Sequence, residues 1–350
     1  MSAAPKLLVV GNGHGVRVHL PAARAVGFEV VGIVGANPER TQKRASANNV
    51  AAFTDLDEAI AKTGAIAVTI ATPPRTHAPL TLTALARGCH VLCEKPFATD
   101  AKEAVEVLAT ARRAGTFCIM GNQFRLRPER RLIATAIKDG LIGTPRFATF
   151  IQYASLLASP EARMPRWWFD IEAGGGWLGA SGSHVIDQIR SWLGEFESVS
   201  ATLPSVADRP GKAEDSFSIR FTMQNGCEGV FQQTGAAWGP YAAMTRVAGP
   251  SGALWIDDGK AHHADAAGER ELPAPADMTL PPFESSNAIS EFIAIELPPA
   301  KKLMELWRSA ILTGELDPSV GTFEDGAASM SVIDAVRASA AQNGATVSIA

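Results

Sequence analysis

Two different patterns of apolar and polar residues follow one another along the chain. In the first 122 residues, short runs of consecutive apolar residues alternate with helix-like stretches, and each run ends at glycine, proline or polar residues. A strand that is buried on both faces produces such a run, and alternation with helices is typical of a parallel sheet. Residues 1–122 are therefore predicted to form an α/β domain with a doubly wound parallel sheet. The clearest predicted strands are 7–10, 28–34, 65–71 and 90–93.

The pattern changes after residue 122, and from residue 146 onwards most segments alternate apolar with polar residues. Phe217, Ile219 and Phe221 fall on one face of a strand, and the Asn225-Gly226 pair that follows favours a hairpin. This alternation predicts a second, α+β domain over 123–350, with a large, mostly antiparallel sheet whose open face is left for solvent or a partner subunit. Helices are expected at 16–26, 177–193, 291–297, 303–312 and 324–342, and loops at 204–212 and 273–286.

Composition narrows the class of protein. The chain has 350 residues, 46% of them hydrophobic and 19% charged, which is ample for two globular cores. Its net charge of −4 and the lack of a basic run argue against a nucleic-acid partner. No apolar run reaches the ~18 residues of a membrane span, and no signal-like segment precedes the first strand, so a cytoplasmic protein is expected. The four cysteines lack metal-ligand spacing, which predicts free thiols and no metal site.

A glycine-rich turn follows the first predicted strand and precedes a predicted helix. Glycines let the backbone approach a pyrophosphate closely, and the first turn of a helix offers free N–H groups to it. The spacing is Gly-x-Gly-x-Gly, and Val16 stands where the usual motif would place its third glycine. This position between strand and helix favours dinucleotide binding over a plain turn. The residues expected to contact the dinucleotide here are Gly11, Gly13, His14 and Gly15.

The end of the second strand indicates which dinucleotide binds. Sites for NAD usually place a carboxylate there to accept hydrogen bonds from the ribose, whereas this chain has Gly35, Ala36 and Asn37. Asn37 is expected to cap the next helix, in which Arg40 is placed to pair with a 2′-phosphate. These residues favour NADP, with NAD as the alternative if Arg40 only lies on a solvated helix face.

A lysine directly follows the buried strand 90–93, in the sequence Glu94-Lys95-Pro96. The carboxyl ends of parallel strands line the ligand crevice of an open sheet, and Pro96 restricts Lys95 to an extended backbone. Lys95 is therefore placed to act on a bound molecule, although a surface turn with an ion pair is the simpler alternative. Three residues at the end of the preceding parallel strand are expected beside the cofactor: Thr72, Pro73 and His77.

Several motifs in a fixed order resemble one family. They are the glycine turn, Thr72-Pro73-Pro74-x-x-His77, Gly88-x-His90-Val91-Leu92-Cys93-Glu94-Lys95-Pro96, Gly174-Gly175-Gly176-Trp177-Leu178 and Gly182-Ser183-His184-Val185-Ile186-Asp187. This combination spans nearly the whole chain and resembles the Gfo/Idh/MocA oxidoreductases. The resemblance implies an N-terminal Rossmann domain and a C-terminal domain with an open sheet, through which members form homodimers or homotetramers. It also implies hydride transfer between NAD(P) and a hydroxyl or carbonyl carbon of a small molecule, commonly a sugar or cyclitol.

The resemblance also assigns roles to individual residues. It places the family's lysine, which contacts substrate and nicotinamide ribose, at Lys95, and the family's histidine at His184. Many members carry an aspartate four residues before that histidine, where this chain has Ala180. Lys95 and His184 thus remain as the predicted catalytic pair. Asp187 either orients the imidazole of His184 or caps local structure, and the sequence leaves both open.

Further binding residues follow from their expected place at strand ends and near the substrate. Glu94, Lys95 and Asn122 complete the predicted cofactor set, and His19 is interpreted as structural packing. The predicted substrate contacts are Lys95, Gln123, Arg125, Tyr153, Trp168 and His184. Two rival functions remain: a non-catalytic NAD(P)-binding sensor, which Ala180 favours, and a glycosidase that retains its nicotinamide permanently.

Overall fold

The first sheet contains six parallel strands in the order β3-β2-β1-β4-β5-β6, which confirms the predicted doubly wound arrangement. The computed structural model describes residues 4–209, 211, 213–280 and 291–349. The strands β1, β4 and β5 are short, and only three or four residues of each are buried. The strands are β1 (Lys6–Val10), β2 (Glu29–Val34), β3 (Ala51–Phe53), β4 (Ala67–Ile70), β5 (His90–Cys93) and β6 (Cys118–Met120).

Five α-helices alternate with these strands, and several begin at side-chain caps. Asn37, Asp55 and Asp100 each accept a hydrogen bond from a backbone N–H of the first helical turn, as N-cap residues do. The helices are α1 (Leu20–Ala25), α2 (Pro38–Ala47), α3 (Leu56–Thr63), α4 (His77–Ala86) and α5 (Ala101–Ala114). The helix predicted from residue 16 instead starts as a π-helical turn over Gly15–His19, which leads directly into α1.

The second sheet has nine strands in the order β14-β13-β12-β11-β7-β10-β9-β8-β15. All neighbours pair antiparallel except β7 and β10, so the predicted, mostly antiparallel sheet is confirmed. The strands are β7 (Phe147–Tyr153), β8 (Phe196–Thr202), β9 (Ser216–Met223), β10 (Glu228–Thr234), β11 (Ala242–Gly249), β12 (Gly252–Asp257), β13 (Lys260–Asp265), β14 (Gly268–Glu271) and β15 (Val347–Ser348).

Helices cover one face of this sheet. α6 (Pro128–Lys138) packs against β12 and β13, and α7 (Ser183–Leu193) places Trp192 with its ring 5.9 Å from Phe150. Phe150 is buried, while its neighbours along β7 point to the opposite, open face. The helix predicted at 177–193 begins as a second π-helical turn, Leu178–Gly182.

Helix α8 (Glu291–Thr313) runs unbroken through Pro298 and Pro299, where the sequence predicts two separate helices. Proline normally breaks a helix because it lacks the N–H and clashes with the preceding turn. Here the apolar face of the helix is buried among strands and helices of the first sheet, with Trp307 completely enclosed. Burial of this face outweighs the local preference for a break. The last helix is α9 (Phe323–Ala341).

Packing divides the described residues into two compact units that do not follow the order of the sequence. One unit contains residues 4–126, 280 and 291–327, and the other contains residues 127–279 and 328–349 with the gaps named above. The domain limits expected from the sequence, 1–122 and 123–350, place residues 291–327 in the second domain, whereas these residues pack in the first unit. Of the two predicted loops, residues 210, 212 and 281–286 lie outside the described residues. None of the helices in the described part of the chain has the length and apolar character needed to cross a membrane.

Candidate active site

The glycine turn joins the ends of three parallel strands. The N–H of Gly11 donates a hydrogen bond to the carbonyl oxygen of Val34 at 2.9 Å, which connects the ends of β1 and β2. Gly11 has a φ of 119°, and a Cβ added there would overlap the carbonyl oxygen of Ala71 after β4. Glycine alone tolerates both this positive φ and the close approach of the Ala71 carbonyl oxygen. At Gly13, by contrast, an added Cβ would meet none of the described atoms within 4 Å, so the space beside it is open.

A hydrogen-bonded pair occupies the end of β2. The side-chain N–H of Asn12 donates to Thr41 Oγ1 at 2.9 Å, and Thr41 donates to the carbonyl oxygen of Asn37 at 2.6 Å. A Cβ at Gly35 would collide with the side chains of both Asn12 and Thr41. The position where an NAD site usually carries a carboxylate therefore has no room for a side chain. Arg40 is exposed on α2, one turn beyond the Asn37 cap.

His77 connects the segments that follow β4 and β5. The imidazole is buried, with Nδ1 2.9 Å from the carbonyl oxygen of Pro96 and Nε2 2.8 Å from that of Thr72. Burial lowers the pKa of His77, and its hydrogen bonds to the two carbonyl groups oppose this shift. His77 thus connects the backbone at Pro96, directly after Lys95, with the backbone at Thr72.

Glu94 is a buried carboxylate that is surrounded by histidines. His19 Nε2 lies 2.9 Å and His14 Nε2 lies 3.4 Å from the same oxygen, Glu94 Oε1. Burial alone would raise the pKa of Glu94, but His14 and His19 outweigh it and hold the pKa well below its usual value. His19 therefore does more than pack, because it fixes the charged carboxylate next to Lys95.

Lys95 lies at the carboxyl end of β5, as predicted. Its backbone N–H donates to Glu94 Oε2 at 3.2 Å. Burial lowers the pKa of the Lys95 amine, and the negative charges of Glu94 and Glu296 offset only part of this effect. An amine with a lowered pKa can accept a proton from a substrate at a lower pH than an ordinary lysine can.

His14 brings a second carboxylate to the glycine turn. Its Nδ1 lies 3.2 Å from Glu296 Oε2 on α8. Burial by itself would lower the pKa of His14, but Glu94 and Glu296 reverse the shift and raise it. The sequence gives one faint sign of Glu296, a single acidic residue within the apolar stretch 292–299. Candidate ligand atoms of His14, His19 and Glu94 lie within 4.8 Å of one another, but the hydrogen bond between His19 and Glu94 already explains this proximity.

Three predicted contacts follow β6. Asn122 and Gln123 are both buried at the start of a short 3-10 turn. Arg125 forms an ion pair with Asp325, with its guanidinium nitrogen 2.8 Å from Asp325 Oδ1. Its charge is therefore compensated within the protein, a constraint that the sequence did not reveal because the partner lies in α9.

In the second unit, His184 lies in the first turn of α7 and is half-buried. Ala180 is buried in the π-helical turn that precedes it, so no carboxylate occupies that position. Asp187 is buried, and its negative charge acts on Arg130, whose pKa is lowered to about 10 by burial despite this opposing effect. Asp187 thus acts electrostatically on Arg130, and its effect on the imidazole of His184 stays a prediction.

The structure separates the two predicted aromatic contacts. Trp168 is half-buried and packs edge-on against Trp177, at a ring distance of 5.7 Å, next to the turn that leads to His184. Tyr153 points to the open face of the sheet, whereas α7 covers the other face. Tyr153 and His184 are therefore on opposite sides of the sheet.

Comparison with known proteins identifies two family models in the chain. The model described as "Oxidoreductase family, NAD-binding Rossmann fold" matches residues 6–122, and the "GFO/IDH/MocA C-terminal domain" matches residues 131–255. An uncharacterized oxidoreductase of Synechocystis sp. is 27% identical over 320 residues, which cover 84% of this chain and 86% of that protein. Levoglucosan dehydrogenase of Pseudarthrobacter phenanthrenivorans is 33% identical over 147 residues, 41% of this chain and 37% of that enzyme.

Solved structures share the fold over the full length. An oxidoreductase domain protein from Kribbella flavida is 25% identical, with a TM-score of 0.86 and coverage of 100% of both chains. A levoglucosan dehydrogenase in complex with NADH and L-sorbose superimposes with a TM-score of 0.87 at 23% identity, again over 100% of both chains. Together with the two family models, these similarities show that the chain belongs to the Gfo/Idh/MocA family of oxidoreductases, with an NAD-binding Rossmann fold in its N-terminal part.

Proposed function

We propose that the protein is an NADP-preferring dehydrogenase or reductase that acts on a hydroxyl or carbonyl carbon of a sugar, cyclitol or related small molecule. The observation that carries the proposal is the half-buried Lys95, held at the end of β5 beside a charged Glu94 and the glycine turn. The nicotinamide would supply the hydride chemistry, and the protein supplies orientation and proton transfer.

Within this proposal, Lys95 transfers the proton of the substrate hydroxyl. Its lowered pKa gives a neutral amine at a pH where an ordinary lysine is charged, so it can accept the proton. His184 is the second catalytic residue, as general acid or base, because an imidazole titrates near neutral pH. The proposal requires both groups to reach the same substrate. Gln123, Arg125 and Trp168 are the further substrate contacts that we propose, and Tyr153 is left out because of its place on the open face.

The preference for NADP is supported by the end of β2. Gly35 cannot carry a carboxylate there, because Asn12 and Thr41 occupy the space. A carboxylate would repel a 2′-phosphate, and the exposed guanidinium of Arg40 is available to pair with one. The cofactor contacts that we propose are Gly11, Gly13, His14, Gly15, Gly35, Ala36, Asn37, Arg40, Thr72, Pro73, His77, Glu94, Lys95 and Asn122.

The choice of substrate class is supported by the sugar dehydrogenases among the relatives, such as levoglucosan dehydrogenase. We also propose that the protein works in a reducing compartment, such as the cytoplasm, because its four cysteines are free and mostly buried.

Two binding titrations test whether the protein prefers NADPH to NADH. The purified protein is titrated with NADPH and with NADH, and both are repeated with the Arg40→Ala variant. We expect tighter binding of NADPH by the parent and a loss of that preference in the variant. Equal affinities in the parent would remove the NADP preference, and binding of neither nucleotide would contradict the proposed function.

Activity is tested on a panel of polyols, sugars and their keto forms by the change in nicotinamide absorbance. A non-catalytic sensor is the second candidate, because Ala180 stands where many relatives carry an aspartate. The Lys95→Ala variant separates the two. An enzyme loses turnover in this variant, whereas a sensor shows no turnover in the parent and still binds the nucleotide.

A further inference from the structure

A buried carboxylate of α8 lies beside the glycine turn, and neither the sequence motifs nor the proposed reaction uses it. Glu296 is 5% exposed, and burial raises its pKa. A buried carboxylate is costly unless an opposite charge or a hydrogen bond compensates it. Among the described residues, Glu296 Oε2 makes no hydrogen bond, but it lies 3.2 Å from Nδ1 of His14.

The imidazole of His14 lies between two carboxylates. Its Nδ1 lies 3.2 Å from Glu296 Oε2 and its Nε2 lies 3.4 Å from Glu94 Oε1, at ion-pair distance but without hydrogen-bond geometry. A positive charge on the imidazole is attracted to both carboxylates at these distances, whereas a neutral imidazole forms no ion pair with either. Two carboxylates on opposite sides therefore favour the charged form of His14, consistent with its raised pKa.

Other charged and titratable groups act on this cluster. Lys95 and the exposed Arg17 act favourably on Glu296, while Glu94 repels it. His19 contacts Glu94, but its burial lowers its pKa and so favours the neutral form. His14 is thus the group that acts favourably on both buried carboxylates, and His19 adds a hydrogen bond to Glu94.

This balance matters for ligand binding at the turn. A dinucleotide presents a negatively charged diphosphate to the N–H groups of a glycine turn. Carboxylates without compensation at this place would repel the diphosphate across a medium of low dielectric constant. Neutralising them is therefore part of forming the binding site.

We propose that Glu296 is a positioning residue of the dinucleotide site, which holds the His14 imidazole in its charged form against Glu94 beside the glycine turn. The role of the cluster in cofactor binding rests on the proposed function, whereas the ion pair itself does not. The dinucleotide then binds more tightly when His14 is charged. Its affinity is highest at low pH and falls as the pH rises through the pKa of His14 in the free protein.

The ion pair is tested first without any cofactor. The imidazole of His14 is titrated by NMR in the parent and in Glu296→Gln, with His14→Gln to assign the signal. The titration midpoint is expected to fall by about one pH unit in Glu296→Gln, which corresponds to a tenfold change in proton affinity. Glu305→Gln is the matched control, because Glu305 is an exposed carboxylate of the same helix that pairs with Lys302.

Glu296→Asp keeps the charge but retracts it by one methylene, so its midpoint is expected between those of the parent and Glu296→Gln. It also provides the comparison if Glu296→Gln does not fold by circular dichroism. An unchanged midpoint in the folded variant, or a stoichiometric metal ion in the purified parent that keeps His14 from titrating, would overturn the proposal.

The effect on the ligand is tested by measuring NADPH affinity between pH 5 and 9. The affinity of the parent is expected to decline by up to tenfold per pH unit between the His14 midpoint of the free protein and the higher midpoint of the complex. The decline should begin at lower pH in Glu296→Gln, be absent in His14→Gln and stay unchanged in Glu305→Gln. The same onset of the decline in parent and Glu296→Gln would refute the link to binding. If the parent binds neither NADPH nor NADH, the proposed function fails, and the NMR titration still decides whether the ion pair exists.

Discussion

Lys95 shows how the surroundings of one residue create its chemistry. A solvated lysine is charged at neutral pH and cannot accept a proton, but burial of this amine lowers its pKa. Glu94 limits the shift, and Glu94 is itself kept charged by His14 and His19. The pKa of the Lys95 amine therefore depends on side chains from the glycine turn as well as on its own strand.

The pH dependence of substrate oxidation should report this amine. If neutral Lys95 accepts the proton, kcat/KM rises with pH through the pKa of Lys95 and levels off above it. The midpoint is expected below 10.5, the ordinary value of a lysine, because burial lowers the pKa. Rates measured from pH 6 to 11 with saturating cofactor check this. A rising limb that persists unchanged in Lys95→Ala would assign it to another group.

Gly13 allows a test that separates binding from folding. An added Cβ meets none of the described atoms within 4 Å, so Gly13→Ala should change the free energy of unfolding by no more than about 1 kcal/mol. The methyl group would occupy the space into which a diphosphate must come, and the affinity for NADPH should fall at least about tenfold, which is 1.4 kcal/mol. Calorimetric titration measures the affinity and urea denaturation the stability. Normal affinity in a stable variant would place the diphosphate elsewhere.

At the scale of single residues, the sequence predicts a position well when that position depends on residues nearby in the chain. The place of Lys95 at a strand end was predicted because a buried apolar run precedes it and a proline follows it. Asn37 was predicted as an N-cap because the start of a helix is set by local sequence. His14 was predicted as a cofactor contact, but the rise in its pKa was not. That rise comes from Glu94 and, to a smaller extent, from Glu296, which reaches the turn only through the packing of a distant helix.

Among the elements, strands buried on both faces were the easiest to predict. Their continuous apolar runs, such as Leu7–Val10, have no other plausible environment in a soluble protein. The two π-helical turns, Gly15–His19 and Leu178–Gly182, were not predicted, because no local pattern distinguishes them from an ordinary first helical turn. Both directly follow glycine-rich motifs. Helix α8 was predicted as two separate helices on either side of Pro298 and Pro299. The rule that proline breaks a helix considers only local sequence and takes no account of tertiary packing.

Trp307 should contribute much of the stability that keeps α8 in place. Its ring is completely buried, 5.5 Å from Phe28, and its Nε1 donates a hydrogen bond to the carbonyl oxygen of Phe117 at 3.1 Å. Trp307→Ala should lower the free energy of unfolding by about 3–5 kcal/mol, through lost burial and a new cavity. Leu312→Ala, at an exposed position of the same helix, is the control and should cost no more than about 0.5 kcal/mol. Equal losses in urea denaturation would contradict the packing described for α8.

For the whole molecule, the order of the sequence does not predict which parts pack together. Residues 291–327 join the first unit although they follow the entire nine-stranded sheet, because their apolar helix face fits the core around Phe28. Among the residues that the structure describes, the helices that pack on the second sheet lie on one of its faces. Large apolar side chains are exposed on the opposite face: Phe147, Tyr153, Val230 and Met244.

An exposed apolar face of this kind is typical of an interface, and we expect a second copy of the chain to cover it. Replacing Val230 and Met244 together by aspartate would bury two charges in such an interface, and desolvating them costs more than the contact gains. Light scattering of the parent should give the mass of a dimer or tetramer, and the double variant that of a single chain. Val105→Asp, at an exposed apolar position of α5, is the control and should assemble like the parent. A parent that is monomeric at micromolar concentration, or a double variant that still assembles, would rule out this face as the interface.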